Sequence, residues 1–287
     1  MRAWAKAVAV IRFLAGDSPA KGVSPRWLLR THTRLFKTFR NAHKIEVRKD
    51  VVSPFTCVEI DGAPFVWPME AAVEPLMHLL AELTTPDHPH QYEYGLTQLR
   101  SDDVLLDVGC CDGGFAAKAA EVGARVIAVE PSNIMAGVIR RLFELRGLPA
   151  PHIAQCLLGA APGVAHFQDD LRDPARSQIT REPRPNSYKV SVRTLDDLAA
   201  DLTVVPTFIK CDAEGADFDI LKGARNFLRT HRPKVAVTVY HNRNDFADIG
   251  KYLRSLGYEV EGKGLMYVAG AFRAVMIHAA HPEARHR

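Results

Sequence analysis

A chain of 287 residues, 47% hydrophobic and 24% charged, can bury one large core, or one core with a small appendage, and should fold as a soluble enzyme-sized unit. No run approaches the roughly 20 apolar residues that span a bilayer, which excludes a transmembrane segment, and five cysteines, with Cys110 and Cys111 adjacent and Cys57, Cys156 and Cys211 scattered, exclude a disulfide framework or a CxxC metal pair and suit reduced thiols in a cytoplasmic protein. The net charge of +4 is uneven: residues 1–50 hold 12 Lys/Arg against 3 Asp/Glu, and the remainder 25 against 30, so the basic segment is a solvated helical face or an arm for an acidic partner.

In chain order, Trp4, Ala7, Val8, Ile11 and Leu14 recur at helical spacing and draw one apolar stripe on a basic helix over residues 1–14. Lys6 and Arg12 interrupt that stretch, which argues against a cleaved export signal. The stripe suits docking on the body of the protein or, as the weaker reading, on a membrane surface. A second basic helix is expected around Trp27 to Asn41, then a hairpin over Thr56 to Ile60 and Phe65 to Trp67 that turns on Asp61-Gly62. A helix over Ala71 to Leu83 follows. The turn-forming run from Thr84 to Gly95 leads to a boundary near Arg100, dividing a basic helical and hairpin extension, residues 1–100, from a core domain, residues 101–287.

From there strands and helices alternate: strand Val104 to Val108, helix Phe115 to Val122, strand Arg125 to Val129, helix Asn133 to Arg146, strand His152 to Leu157. Val164 to Phe167 and Tyr188 to Arg193 read as added strands, and Arg172 to Asn186 as a polar, proline-bearing loop that is mobile or covers the site. Asp196-Asp197 suit the start of a helix, where carboxylates meet its positive end. The alternation resumes with strand Thr207 to Cys211, helix Phe218 to Arg229, strand Val235 to Tyr240 and helix Phe246 to Leu256. Two closing strands, about Tyr258 to Val260, with a continuation toward Val268 left open, and Arg273 to His278, are joined by little else and should pair antiparallel. The expected fold class is α/β, a doubly wound, mostly parallel seven-stranded sheet with an antiparallel last strand. That is the class I arrangement that binds S-adenosylmethionine.

The most informative stretch runs from Val104 through Asp107, Gly109, Cys110, Cys111, Asp112, Gly113 and Gly114 to Phe115: an apolar strand, a glycine-bearing turn, then a helix. A dinucleotide fingerprint needs G-x-G-x-x-G, whereas here three residues separate Gly109 from Gly113 and Asp107 closes the strand. A carboxylate there repels a pyrophosphate and suits the cationic amino acid moiety of S-adenosylmethionine. The next strand ends in Glu130-Pro131-Ser132, placing Glu130 to accept hydrogen bonds from both ribose hydroxyls. The cofactor-binding set is therefore Asp107, Gly109, Cys110, Asp112, Gly113, Phe115, Glu130, Pro131 and Ser132, and the cofactor S-adenosyl-L-methionine.

The segments Asp107 to Phe115, Val129-Glu130-Pro131, Val192 to Asp196 and Ile209-Lys-Cys-Asp-Ala-Glu-Gly215 resemble the successive signatures of FkbM-family methyltransferases, over roughly Asp107 to His241. The Lys-x-Asp-x-Glu-Gly element discriminates most. The resemblance implies an O-methyltransferase acting on a hydroxyl of a small molecule, sugar or lipid-linked glycan. Two positions depart from the family: Cys110-Cys111 stand where Ala-Asn is common, and Val239-Tyr240-His241 where a glutamate precedes the histidine. Both leave the substrate class open.

A methyltransferase must align its nucleophile with the methyl group and remove a proton. Ligands sit beyond the carboxyl ends of parallel strands, which makes Lys210, Asp212, Glu214 and His241 the catalytic candidates. His241 is a base by its ordinary pKa of about 6.5, or a residue that caps a strand end. Asp212 is a second candidate base; with Glu214 it would suit Mg²⁺, but a structural charge network with Lys210 is the preferred reading, so no metal is assigned. Tyr92, Glu93 and Tyr94 either touch the donor or are packed, and His88 and His90 have no ligand partner at a recognisable spacing. The expected partner is a small-molecule or carbohydrate acceptor; nucleic acid is not expected, and a homodimer is a further expectation. The rival readings are a nucleic-acid methyltransferase using the basic arm, a non-catalytic cofactor-binding scaffold, and a nicotinamide enzyme, the last disfavoured by the missing glycine pattern.

Overall fold

The computed structural model describes residues 2–30, 32–49, 54–170, 172–180 and 182–284. The extension begins with α1 (Arg2–Leu14), which buries Ala9 and Phe13, the latter ring 6.0 Å from Phe272. Trp4, Ile11 and Leu14 of the expected apolar stripe face outward, so the docked face is the neighbouring one. The second basic helix is two pieces, a 3-10 turn at Pro25–Leu29 and α2 (His32–Ala42), because Arg30 leaves the helical region at φ −108° and ψ 78°. Strands β1 (Ile45–Lys49), β2 (Phe55–Ile60) and β3 (Ala63–Pro68) form an antiparallel sheet. β2 and β3 turn on Asp61 and Gly62, both at positive φ as a two-residue hairpin loop requires; β1 is an addition to the expected hairpin. Helix α3 (Val73–Thr84) buries Leu76, Leu80 and Ala81.

The core domain follows as β4 (Val104–Val108), α4 (Gly114–Val122), β5 (Arg125–Val129), α5 (Asn133–Leu145), β6 (His152–Ala154), β7 (Leu157–Leu158), β8 (Gly163–Gln168), β9 (Gln178–Thr180) and β10 (Tyr188–Arg193). It continues with α6 (Leu195–Asp201), β11 (Phe208–Cys211), α7 (Asp217–Gly223), α8 (Arg225–His231), β12 (Lys234–Thr238), α9 (Asp245–Ser255), β13 (Glu259–Val268) and β14 (Ala271–Ala280). The seven-stranded sheet has the order β13-β14-β12-β11-β4-β5-β6, parallel from β12 through β6, with β14 antiparallel to both its neighbours. This is the doubly wound fold class expected from the alternation. The chain runs outward from β4 to β5 and β6 on one side, then returns to β11 beside β4 and runs on to β12 on the other, which opens a crevice at the carboxyl ends of these strands.

Three expected elements are divided. The strand foreseen from His152 to Leu157 splits at Gln155-Cys156: β6 stays in the main sheet, while β7 pairs with β10 in a second sheet of order β7-β10-β8-β9. The foreseen loop Arg172 to Asn186 contributes a 3-10 turn at Pro174–Arg176 and edge strand β9 to that sheet. The helix foreseen from Phe218 to Arg229 breaks at Ala224, beside Gly223, whose bare Cα lets the chain press on the Gly159 carbonyl: a Cβ there would lie 2.1 Å from that oxygen.

The sheet is covered on both faces, as buried parallel strands require. One apolar cluster joins Phe13, Val23 and Trp27 of the extension to Leu106, Ile209, Ile220 and Ile277. The other joins Phe39, Trp67, Leu76 and Leu80 to Leu105, Phe115, Ile139 and Leu142. The extension thus shares both cores with residues 101–287, and it delivers α3 and the following loop to the rim of the crevice.

Candidate active site

The site grows from the turn after β4. Gly109 donates its N–H to the Val129 carbonyl at 3.1 Å and holds φ at +71°. A Cβ on Gly109 would lie 1.9 Å from the Asp212 carbonyl oxygen, so only glycine lets the turns after β4 and β11 touch. Behind this contact Asp107 and Lys210 are buried, with Lys210 Nζ 2.9 Å from Asp107 Oδ1 and donating to the Gly109 carbonyl. Burial opposes the Lys210 charge, but Asp107 and then Asp212 outweigh it and hold the ammonium well above its ordinary range. Lys210 is therefore a fixed cation.

Glu130, just past β5, accepts from the backbone N–H of Cys111 at 3.0 Å and of Ser132 at 2.9 Å. Ser132 in turn caps α5, its Oγ accepting from Met135 N–H at 3.1 Å. Between these two strand ends lies a cleft of about 530 Å³. Gly109, Cys110, Asp112, Phe115, Glu130, Pro131, Lys210, Asp212 and Glu214 all line it. Asp107, Gly113 and Ser132 stand behind its wall, Gly113 as the left-handed residue that starts α4. His241 is also set back, with Nε2 3.4 Å from Glu214 and Nδ1 3.6 Å from Asp217. Both distances are ion-pair contacts too long for well-formed hydrogen bonds. Burial disfavours the imidazolium, yet Asp217 and Glu214 push His241 up to about 10.

Asp212 is the most constrained carboxylate on the wall. Tyr92 donates its hydroxyl to Oδ2 at 2.7 Å, Thr238 donates to Oδ1 at 3.1 Å, and His90 Nε2 lies 3.3 Å from Oδ2. His90 is buried and its Nδ1 is 2.8 Å from Glu82 Oε2, which puts the imidazole between two carboxylates. Burial works against a charged imidazole, but Glu82 and Asp212 raise His90 well above its ordinary value. Burial likewise opposes ionisation of Asp212, and His90, Lys210 and His241 overcome it and hold the group far below the usual carboxylate range. Asp212, Glu214 and His241 offer ligand atoms within 4.8 Å of one another. The partners of Asp212 and the contacts of His241 with Glu214 and Asp217 account for this group as a charge network.

Glu82, His90, Asp217 and Thr238 are site residues that the motifs do not announce. Asp217 fastens the turn after β11 by accepting from the N–H groups of Ala213 at 3.0 Å and Gly215 at 3.2 Å. His90 stands in a turn-rich run with no metal-ligand spacing; its partners lie on α3 and in the turn after β11, and only the folded chain joins them. The small second sheet supplies a further wall through Leu157, Phe167, Gln178 and Ile179.

Solved structures with a similar fold include an FkbM methyltransferase from Methylobacillus flagellatus, 19% identical, matched over 86% of this chain and 58% of that one with a TM-score of 0.45. This chain thus spans less than two thirds of that protein. A precorrin-6y C5,15-methyltransferase from Geobacter metallireducens matches 63% of this chain and 81% of its own at 14% identity and a TM-score of 0.41. A magnesium protoporphyrin IX methyltransferase from Synechocystis, solved with bound SAM, matches 62% and 70% at 15% identity and a TM-score of 0.36. No curated protein matches the sequence at a significant level. The methyltransferase FkbM domain matches residues 107–260, more than half of the chain and the whole stretch from Asp107 through the strand-end carboxylates to His241, and the chain belongs to that family of methyltransferases.

Proposed function

We propose that this methyltransferase uses S-adenosylmethionine to methylate a hydroxyl of a small molecule or sugar that is uncharged or cationic. The observation that carries this reading is the charge of the cleft. Its described lining includes six carboxylates, Glu82, Asp112, Glu130, Asp212, Glu214 and Asp219, against a single cation, Lys210, which Asp107 already pairs. Such a wall suits a sulfonium and repels a phosphate backbone. None of the described basic side chains of the extension lines this cleft, so the nucleic-acid reading loses its support at the place where transfer would occur.

The residues present fit the methyl donor by the chemistry of their donor set. Glu130, fixed by two backbone N–H groups, would hold the ribose hydroxyls; the turn from Gly109 to Gly113 would let the backbone approach the rest of the molecule closely. The bound group supplies a methyl already activated on sulfur. What remains for the protein is to orient the acceptor hydroxyl and let its proton leave. Lys210 and His241 both carry protons near neutral pH and do not accept another. Asp212 is the ionised carboxylate on the wall; held so far below the usual range it is a weak base, so it orients the acceptor hydroxyl by accepting its hydrogen bond at Oδ1, beside the Thr238 hydroxyl that it shares with Asp217, while the proton passes on to water. Incubation with methyl-labelled S-adenosylmethionine tests the acceptor class: label should pass to neutral or amino-bearing polyols and not to RNA, and transfer to RNA or to a phosphorylated acceptor alone would contradict the proposal.

A pH dependence follows. Burial pushes Glu130 up to about 7 although the Ser132 and Cys111 N–H groups favour its charged form, and burial pushes Asp112 up to about 7 against the pull of Lys210. With its proton on, Glu130 loses the charged acceptor that ribose hydroxyls prefer. Affinity for S-adenosylmethionine should therefore fall about tenfold between about pH 8 and about pH 6, and Glu130→Gln should flatten the profile. In the unliganded protein the sign is opposite: a raised carboxylate favours folding at pH below its ordinary range, and that contribution disappears as pH rises through about 7. Calorimetric titration across this range is the check, and a flat profile for the unmodified chain would sink the assignment.

A further inference from the structure

We infer that α1 is an interfacial helix that docks the protein on an anionic lipid bilayer. No described residue of α1 lines the cleft. Helix α1 carries apolar side chains on two faces. One, with Ala9 and Phe13, is buried against β14. The other carries Trp4, Ile11 and Leu14, which share a helix face by their spacing of seven and three residues and are 75%, 67% and 60% exposed. A helix already docked on its own protein gains nothing from a second apolar stripe in water. Tryptophan, isoleucine and leucine beside basic side chains form the composition of a helix that lies in a membrane interface.

Charge selects the occupant. Lys6 and Arg12 are exposed on the same helix, Arg12 while paired with Asp17, and Lys21 is exposed just beyond it. The first 50 residues hold 12 Lys/Arg against 3 Asp/Glu. This excess attracts an anionic surface, whereas two copies of the same basic segment repel each other. Three large side chains on one 13-residue helix also offer far less than the roughly 800 Å² per partner that a stable dimer buries. Among the described residues no helix is long and apolar enough to cross a membrane, so the contact lies in the interface plane.

The tryptophans provide the assay. Trp27 and Trp67 are buried at 1% and 0% exposure, so a change in indole emission on contact with lipid reports Trp4. The full chain is mixed with vesicles of phosphatidylcholine alone or of phosphatidylcholine with phosphatidylglycerol, and emission and co-sedimentation are measured. We expect a blue shift and sedimentation with the anionic vesicles only, weakened by added salt. Trp4→Phe should keep sedimentation and lose the shift. Ile11→Ser and Leu14→Ser should each weaken partitioning by about tenfold, the loss of one buried apolar side chain. Equal binding to neutral vesicles, no binding to either, or a concentration-dependent dimer that Ile11→Ser dissolves would each overturn the inference. Binding of S-adenosylmethionine by the same variants should be unchanged, so failure here and failure of the proposed activity remain distinguishable.

Discussion

Lys210→Met should cost the protein about 3–5 kcal/mol of stability, because it strands the Asp107 carboxylate in a site with almost no access to water. The two side chains are 4% and 1% exposed and 2.9 Å apart, and among the described residues neither Asp107 oxygen has a hydrogen-bond partner beyond that ion contact. The lysine also ties the Gly109 carbonyl, so its loss loosens the turn that forms the cleft floor. If the penalty is the uncompensated charge, then Asp107→Asn combined with Lys210→Met should recover most of it. Denaturant unfolding of the single and double variants decides the matter: a double variant as unstable as Lys210→Met would mean that packing, and not charge, dominates.

Asp212→Asn should lower turnover by about a hundredfold or more while leaving the affinity for S-adenosylmethionine nearly unchanged. Tyr92 and Thr238 donate to it and His90 stands at ion-pair distance, an arrangement that suits a carboxylate. An amide offers one acceptor atom and sets its NH₂ against a donor, so the group turns or its neighbours shift. His90→Gln should reduce turnover less, through the clamp to Glu82, and should leave the cofactor affinity in place. Single-turnover rates beside binding constants separate these effects. A loss confined to cofactor binding would remove Asp212 from the reacting end of the cleft.

Much of the fold was legible because its signals are local. Val104–Val108 and Arg125–Val129 are short apolar runs bounded by turn residues, and their observed bounds match the expected ones. The Gly109 and Gly113 positions hold positive φ, the one backbone demand that a sequence expresses directly. Glu130 and Asp212 follow strand ends, so their place at the cleft came from topology alone. What stayed hidden depends on distant pairing. The break at Gln155-Cys156 arises because β7 finds β10, more than thirty residues on. The Glu82–His90–Asp212 arrangement needs α3, an irregular loop and β11 to meet, and no periodicity marks a loop histidine for that role. His241 carried the right chemistry in the motif but stands back from the cleft against Asp217, a contact that the turn after β11 decides.

The central claim is that the cleft between the ends of β4 and β5 holds S-adenosylmethionine through Glu130. Calorimetric titration of the purified chain with S-adenosylmethionine and S-adenosylhomocysteine, with NAD and NADH as controls, and repeated on Glu130→Ala, tests it most directly. The account predicts micromolar binding of the first pair, lost in Glu130→Ala, and none of the second. Binding of NADH alone, no binding at all, or binding that Glu130→Ala leaves intact would contradict it.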